Sequence, residues 1–406
     1  MELKLFFLFM FISAANSSKL RFVQTIWRHG DRAPNSLPYP NDKYNESYWP
    51  RGWSQLTNLG MIQMKELGTF FRQRYVGSFL SKNYNHKEIY VRSSDSPRAL
   101  TSAQSLLNGL YPPNPTEIFE TGLNWHPIPV HASDPQSDDP LLKPTSFECP
   151  SYTNASLRLN AKFHSELTTK YSELFEFLGN VTGHGPNITL HQVAKLNDLN
   201  RELKHNLSQP DWISRLWPQF QNKTTLELIS ELKRLERTSQ FNQPELSRLR
   251  GGFLLGDWLN RTEDVISGKQ KKPTKMILYS SHDGTVQSLM YVMGIADHQQ
   301  IPYAAAVIME IHEENDRHFV RLFYQHSGQT IPKKLKDCEW DCEVTKFTSL
   351  LDVSAIRNRD SLNTICEIKT LQKAVELCDQ TNDTERSFVF HYLLIVVFCL
   401  SALKDF

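Results

Sequence analysis

At 406 residues, 40% hydrophobic and 22% charged, the chain can bury a large core, as one big domain or as a domain carrying an insertion. Its 45 lysines and arginines against 44 aspartates and glutamates leave a formal charge of +1, which excludes a general nucleic-acid binder because no surplus positive field exists to hold a polyanion. Any anion site must be local.

The N-terminus reads MELKLFFLFMFISAANSS. Lys4, an apolar run from Leu5 to Ile12 and then Ser13-Ala14-Ala15 form the pattern of a secretory signal cleaved near Ala15, so residues 1–17 are set aside as a leader. Phe22–Trp27 is an apolar, β-branched run of the kind that makes a buried strand. It stops in Arg28-His29-Gly30-Asp31-Arg32, and Ala33-Pro34 breaks regular structure. One imidazole between two guanidiniums therefore stands at a strand's carboxyl end, where open α/β sheets bind ligands. Two fixed cations suit an anion with several oxygens, and the imidazole beside them can attack it.

Tyr39–Ser54 reads as a long surface loop, and Thr57–Tyr75 has helical spacing of its apolar residues. Glu88–Arg92 is a second strand that places Arg92 at its end. Ser93-Ser94-Asp95-Ser96-Pro97 then caps a helix running to about Asn108. Thr116–Pro150 is Pro- and His-rich and is expected to be extended, with one strand. Residues 155–265 look mostly helical, with a capping box at Thr224-x-x-Glu227. Met276–Ser280 is a further strand, ending in Ser281-His282-Asp283 and then a helix; Ala304–His312 and Phe319–Tyr324 read as antiparallel edge strands. The sum is an α/β three-layer sandwich with a mixed, mainly parallel sheet, formed by 18–150 and 266–370, and a helical insertion or cap over 151–265.

Eight Asn-x-Ser/Thr sequons, at Asn45, Asn154, Asn180, Asn187, Asn206, Asn222, Asn260 and Asn382, fit an oxidising, glycosylating compartment. There are six cysteines. Cys338-x-x-x-Cys342 lacks the second half of a zinc site, so a small disulfide loop is the better reading, and no metal or other cofactor is expected. After a polar stalk (371–386), residues 387–406 form a membrane-associated tail, either a short single span facing its catalytic part to the lumen or exterior, or a lipid-anchor signal.

Arg28-His29-Gly-x-Arg32-x-Pro and the distant His282-Asp283 pair resemble the two motifs of the histidine acid phosphatases. The similarity to animal prostatic and lysosomal members also takes in YVRSSDSPRA, WHPIPVH and Gly251-Gly252. The resemblance implies a phosphomonoesterase with small-molecule substrates, a phytase or phosphosugar branch being the near rival. It implies His29 as nucleophile, Asp283 as proton donor, and Arg28, Arg32, Arg92 and His282 as holders of the phosphate oxygens. It also implies Cys149–Cys366 and Cys338–Cys342 bridges, with Cys378 left to compete for Cys366, and allows a homodimer. A silent anion-binding surface glycoprotein is the rival of another class.

Overall fold

The computed structural model describes residues 18–134 and 137–368. The leader, the stalk, the tail, Asn382 and Cys378 lie outside the described residues. Among those described, no helix is long and apolar enough to cross a membrane.

The strands are β1 (Lys19–Arg28), β2 (Ile89–Ser93), β3 (Leu216–Trp217), β4 (Lys223–Thr224), β5 (Met276–Ser281), β6 (Ala306–Glu314), β7 (Arg317–His326), β8 (Gln329–Lys333) and β9 (Cys342–Glu343). The helices are α1 (Asn58–Tyr75), α2 (Pro97–Leu110), α3 (Pro150–Lys170), α4 (Ser172–Thr182), α5 (Leu190–Lys195), α6 (Leu199–Lys204), α7 (Thr225–Ser239), α8 (Pro244–Ile266), α9 (Asp283–Val292), α10 (Val344–Leu351) and α11 (Arg359–Ile365).

The main sheet runs β2-β5-β1-β6-β7-β8, with β9 also on β7. Only β2, β5 and β1 are mutually parallel; β6, β7, β8 and β9 join antiparallel. The mixed α/β sandwich stands, but parallel pairing does not predominate. The reason is that β6 to β8 follow one another through short turns, and a short turn can only join antiparallel neighbours. Neither β6, which lies between β1 and β7, nor β7, which lies between β6 and β8, is an edge strand.

Strand alternation sorts the core into two layers. Val23, Trp27, Ile89, Val91 and Leu278 pack on one side with α1 and α2 residues such as Met64, Phe71, Ala103 and Leu106. Phe22, Ile26, Ile277 and Tyr279 pack on the other with α8 and α9 residues such as Leu255, Trp258, Val286 and Leu289. A separate core of Tyr171, Leu174, Leu199, Leu228 and Leu232 belongs to the insertion. α8 buries Leu254, Leu255, Trp258 and Leu259 in the core layer with Phe22, Ile26, Ile277 and Tyr279. The α7 capping box forms as expected, with Thr224 and Glu227 bonded reciprocally. Cys149–Cys366 and Cys338–Cys342 are both bridged.

Candidate active site

The three parallel strands end side by side. Arg28 is level with Ser281, and Ser93 with Ser280. Beyond the last pairs the His29 amide donates to the Ser281 carbonyl at 2.9 Å, and the Ser94 amide to that of Ser280 at 3.0 Å. One crevice thus receives the Arg28–Arg32 loop, the start of α2 and the start of α9, where His282 is the cap and Asp283 the first residue.

The Arg28–Arg32 loop is pressed onto the start of α1. A Cβ on Gly30 would lie 2.3 Å from the Gly60 carbonyl oxygen, and one on Gly60 would lie 2.1 Å from that of Asp31. Both obstacles are backbone, which cannot swing aside. Gly60→Ala is therefore expected to cost about 1–3 kcal/mol of stability, as overpacking does, and to lower kcat by moving the loop; urea melts and steady-state rates check both.

His29 is 2% exposed at the bottom of the crevice. Its Nδ1 lies 2.8 Å from the Gly30 carbonyl oxygen. A carbonyl can only accept, so Nδ1 carries the proton and Nε2 keeps the lone pair. Arg98 Nε donates to that Nε2 at 3.2 Å. Arg98 Nη2 reaches His282 Nδ1 at 3.4 Å, which leaves His282 Nε2 to donate to Ser94 Oγ at 2.9 Å. The two imidazoles meet edge to face, 5.5 Å apart.

Arg28 bonds the Ile301 carbonyl and stacks on Tyr303, its Cζ 3.9 Å from the ring centre. Arg32 Nη1 donates to the Ala33 carbonyl at 2.7 Å. Arg28 Nε and Arg32 Nε are both buried with no partner among the described residues. Buried guanidinium donors are costly unless an acceptor meets them, and an oxyanion is the acceptor that meets several together.

Burial, followed by Arg28, His282, Arg98 and Arg32, holds His29 well below the usual imidazole pKa. Burial and then Arg98 push His282 down to about 3. Burial, reinforced by Arg201, lowers Arg32 to about 10. For Asp283 burial acts upward, but Arg237, Arg28 and His29 outweigh it and hold the carboxyl well below its usual range. Arg237 Nε donates to Asp283 Oδ2 at 2.9 Å, so α7 of the insertion touches this group directly.

Of the residues singled out from sequence, His29, Arg28, Arg32, His282 and Asp283 come together here. Arg92 does not. Its guanidinium bonds Ser133 at 2.9 Å and Asp139 at 3.0 Å, beside a cavity of about 310 Å³ on the α8 side that Asp257 and Arg357 also line. Alternation along β2 is the cause: Val91 and Ser93 are buried on the α1/α2 side, and Arg92 faces away from them. Arg98, in the first turn of α2, bonds both histidines. Pro97 at the first helical position was the available signal, since the start of a helix that follows a strand points into the crevice.

Glu310 bonds Arg74, Tyr75 and His312 and is buried away from this constellation. Trp217 is buried in the core formed by α4 to α7. Asn45, Asn154, Asn180, Asn187, Asn206 and Asn222 are exposed. Asn260 is not a free acceptor for sugar: it is half-buried, with Nδ2 on the Arg357 carbonyl at 2.9 Å and Oδ1 accepting from Arg357 at 2.9 Å. A helix position inside the sandwich layer brought that side chain against α11's leading segment.

A neutral imidazole ringed by guanidiniums at the carboxyl edge of such a sandwich defines a class of phosphate-handling hydrolase. Solved structures with the same fold include a Hafnia alvei phytase in complex with myo-inositol hexakis sulphate, at TM-score 0.64 and 16% identity over 84% of this chain and 98% of that one. In sequence, the Xenopus laevis lysosomal acid phosphatase is 36% identical over 85% of this chain and 78% of its own length. The Rattus norvegicus prostatic acid phosphatase is 34% identical over 84% and 88%. Residues 19–325 match the family model of the histidine phosphatase superfamily, branch 2, and the chain belongs to that family.

Proposed function

We propose that the protein is an acid phosphatase that hydrolyses phosphate monoesters through a phosphohistidine, without calling on a metal. The observation that carries this reading is the His29 Nε2 lone pair held among Arg28, Arg32 and Arg98. His29 attacks phosphorus in line as the ester oxygen leaves from the opposite side. The guanidiniums hold the equatorial oxygens and supply the positive charge that the transition state needs. Asp283 gives its proton to the departing oxygen and then takes one from the water that cleaves the P–N bond.

Asp283 is ionised in the free enzyme, by the sign of its shift. A bound phosphoryl group, itself anionic, raises its pKa again, and low pH completes the protonation. His29 stays neutral below the ordinary imidazole range because its own pKa is depressed. Activity is therefore expected to persist in acid where a free imidazole would be protonated, and to fall as pH rises and the Asp283 proton is lost; a pH–rate profile across acid and neutral pH checks both limbs. Asp283→Asn is expected to cost about 10²–10⁴-fold on an alkyl phosphate and far less on p-nitrophenyl phosphate, whose leaving group needs no proton. Equal losses on the two esters would remove Asp283 from that role.

Simple monoesters are favoured over inositol polyphosphates by the 33–36% identity to relatives named acid phosphatases, against 13–17% to the solved phytases and inositol polyphosphate phosphatases. Comparing turnover of p-nitrophenyl phosphate with that of inositol hexakisphosphate decides, and no turnover of either favours a silent binding protein. The two bridges and the exposed sequons support a secretory-pathway enzyme. Attachment through residues 387–406 is tested by detergent phase partition of the full chain, and a homodimer by sedimentation.

A further inference from the structure

The helical insertion reaches the nucleophile loop through two side chains four residues apart. Arg201 lies in α6 and His205 follows it as the cap, and residues so spaced project from one helix face. Arg201 Nε donates to Tyr303 Oη at 2.6 Å and its Nη1 is paired with Asp198. Tyr303 in turn carries the Arg28 guanidinium on its ring and lies 5.8 Å, ring to ring, from His29. At the other end of the loop, His205 Nε2 is 2.7 Å from Asp31 Oδ2, and its ring stands edge-on to Trp49 at 5.1 Å.

Asp31 is fully buried. The same Oδ2 accepts from Thr57 Oγ1 at 2.7 Å, while the Asp31 amide donates to Gln63 Oε1 at 2.8 Å. A carboxylate so enclosed has one orientation, and His205 is the part of its cradle that comes from the insertion. Arg28 is likewise held by a ring whose hydroxyl the insertion fixes. Without Arg201, Tyr303 is free to turn about its side-chain bonds and Arg28 loses a fixed surface to lie on.

We propose that Arg201 and His205 are positioning residues of the phosphatase reaction: they grip the two ends of the Arg28–Arg32 segment and set Arg28 and the His29 backbone in register with the phosphoryl group. Neither touches the reacting atoms. The inference rests on the reading of His29 as nucleophile. It separates from plain stability through the melting temperatures read beside the rates.

The test uses the full chain, p-nitrophenyl phosphate, and thermal melts. Arg201→Met and Tyr303→Phe should each lower kcat, by about tenfold to a hundredfold, with KM little changed, since a misplacement of about 1 Å costs on the order of 10²-fold. Because both act through one bond, the double variant should be no slower than the slower single. His205→Ala should also lower kcat, and His205→Gln, whose amide nitrogen can stand where Nε2 stood, should recover most of it. Melting temperatures should stay within a few degrees of wild type. Wild-type kcat in Arg201→Met and His205→Ala, losses that multiply in the double variant, or losses that follow the melting temperature would each overturn the proposal. His29→Ala is the separate control: full activity in that variant sinks the nucleophile reading itself, whereas an inactive His29→Ala beside a normal Arg201→Met sinks only the positioning role.

Discussion

Replacing His29 with alanine is expected to lower kcat by on the order of 10⁴-fold or more, while leaving the anion site able to bind phosphate. In the proposed reaction nucleophile and charge stabilisation are carried by different groups, which is why the two effects should part. His29 Nδ1–H is tied to the Gly30 carbonyl, so only Nε2 can attack, and alanine removes it outright. Arg28, Arg32 and Arg98 remain, with one like-charge-sensitive neighbour fewer among them. Inhibition by phosphate or vanadate should therefore stay within about tenfold of wild type, roughly one hydrogen bond to a charged group. Acid quench of the wild-type enzyme with phosphorus-labelled substrate should place the label on His29. Label on a serine or an aspartate, or residual turnover of more than a few per cent in the variant, would contradict the assignment.

The second large effect distinguishes two arginines that lie six positions apart. Arg98→Ala is expected to cost about 10²–10³-fold in kcat, the usual loss for one donor to a developing oxyanion. Arg98 touches His29 Nε2 and His282 Nδ1 together, so its guanidinium lies beside the place that the proposed reaction gives the phosphoryl oxygens. Arg92→Ala should leave kcat within a few-fold. Its loss uncovers Asp139, a buried carboxylate that keeps the Leu142 amide at 3.1 Å, so the cost should appear as about 1–3 kcal/mol of stability instead. Parallel rates and urea melts on the two variants read both effects. A slow Arg92→Ala beside a normal Arg98→Ala would reverse the assignment.

These two arginines also mark where the primary structure stops being informative. The strand that ends in Arg28-His29 and the one that ends in His282-Asp283 are legible because apolar runs broken by polar dipeptides have a local signature. Their adjacency follows from a general rule about where α/β sheets bind ligands. The choice between Arg92 and Arg98 is not local. Arg92 lies within β2 and Arg98 in the helix after it, and the side of the sheet on which β2's even positions fall sends Arg92 to Asp139, while the start of α2 faces the crevice.

The amino-acid order by itself determined the two motifs, the α/β class, the Pro97 start of α2, the capping box of α7 and the helical character of residues 151–265, because each depends on residues within a turn or a strand of one another. The tertiary structure alone decided which arginine meets His29, how α7 brings Arg237 to Asp283, and how Arg201 and His205 reach the loop from the insertion. Those contacts join residues between 46 and 174 positions apart in the chain. Their geometry is set by the packing of the whole sandwich rather than by any neighbour in the chain.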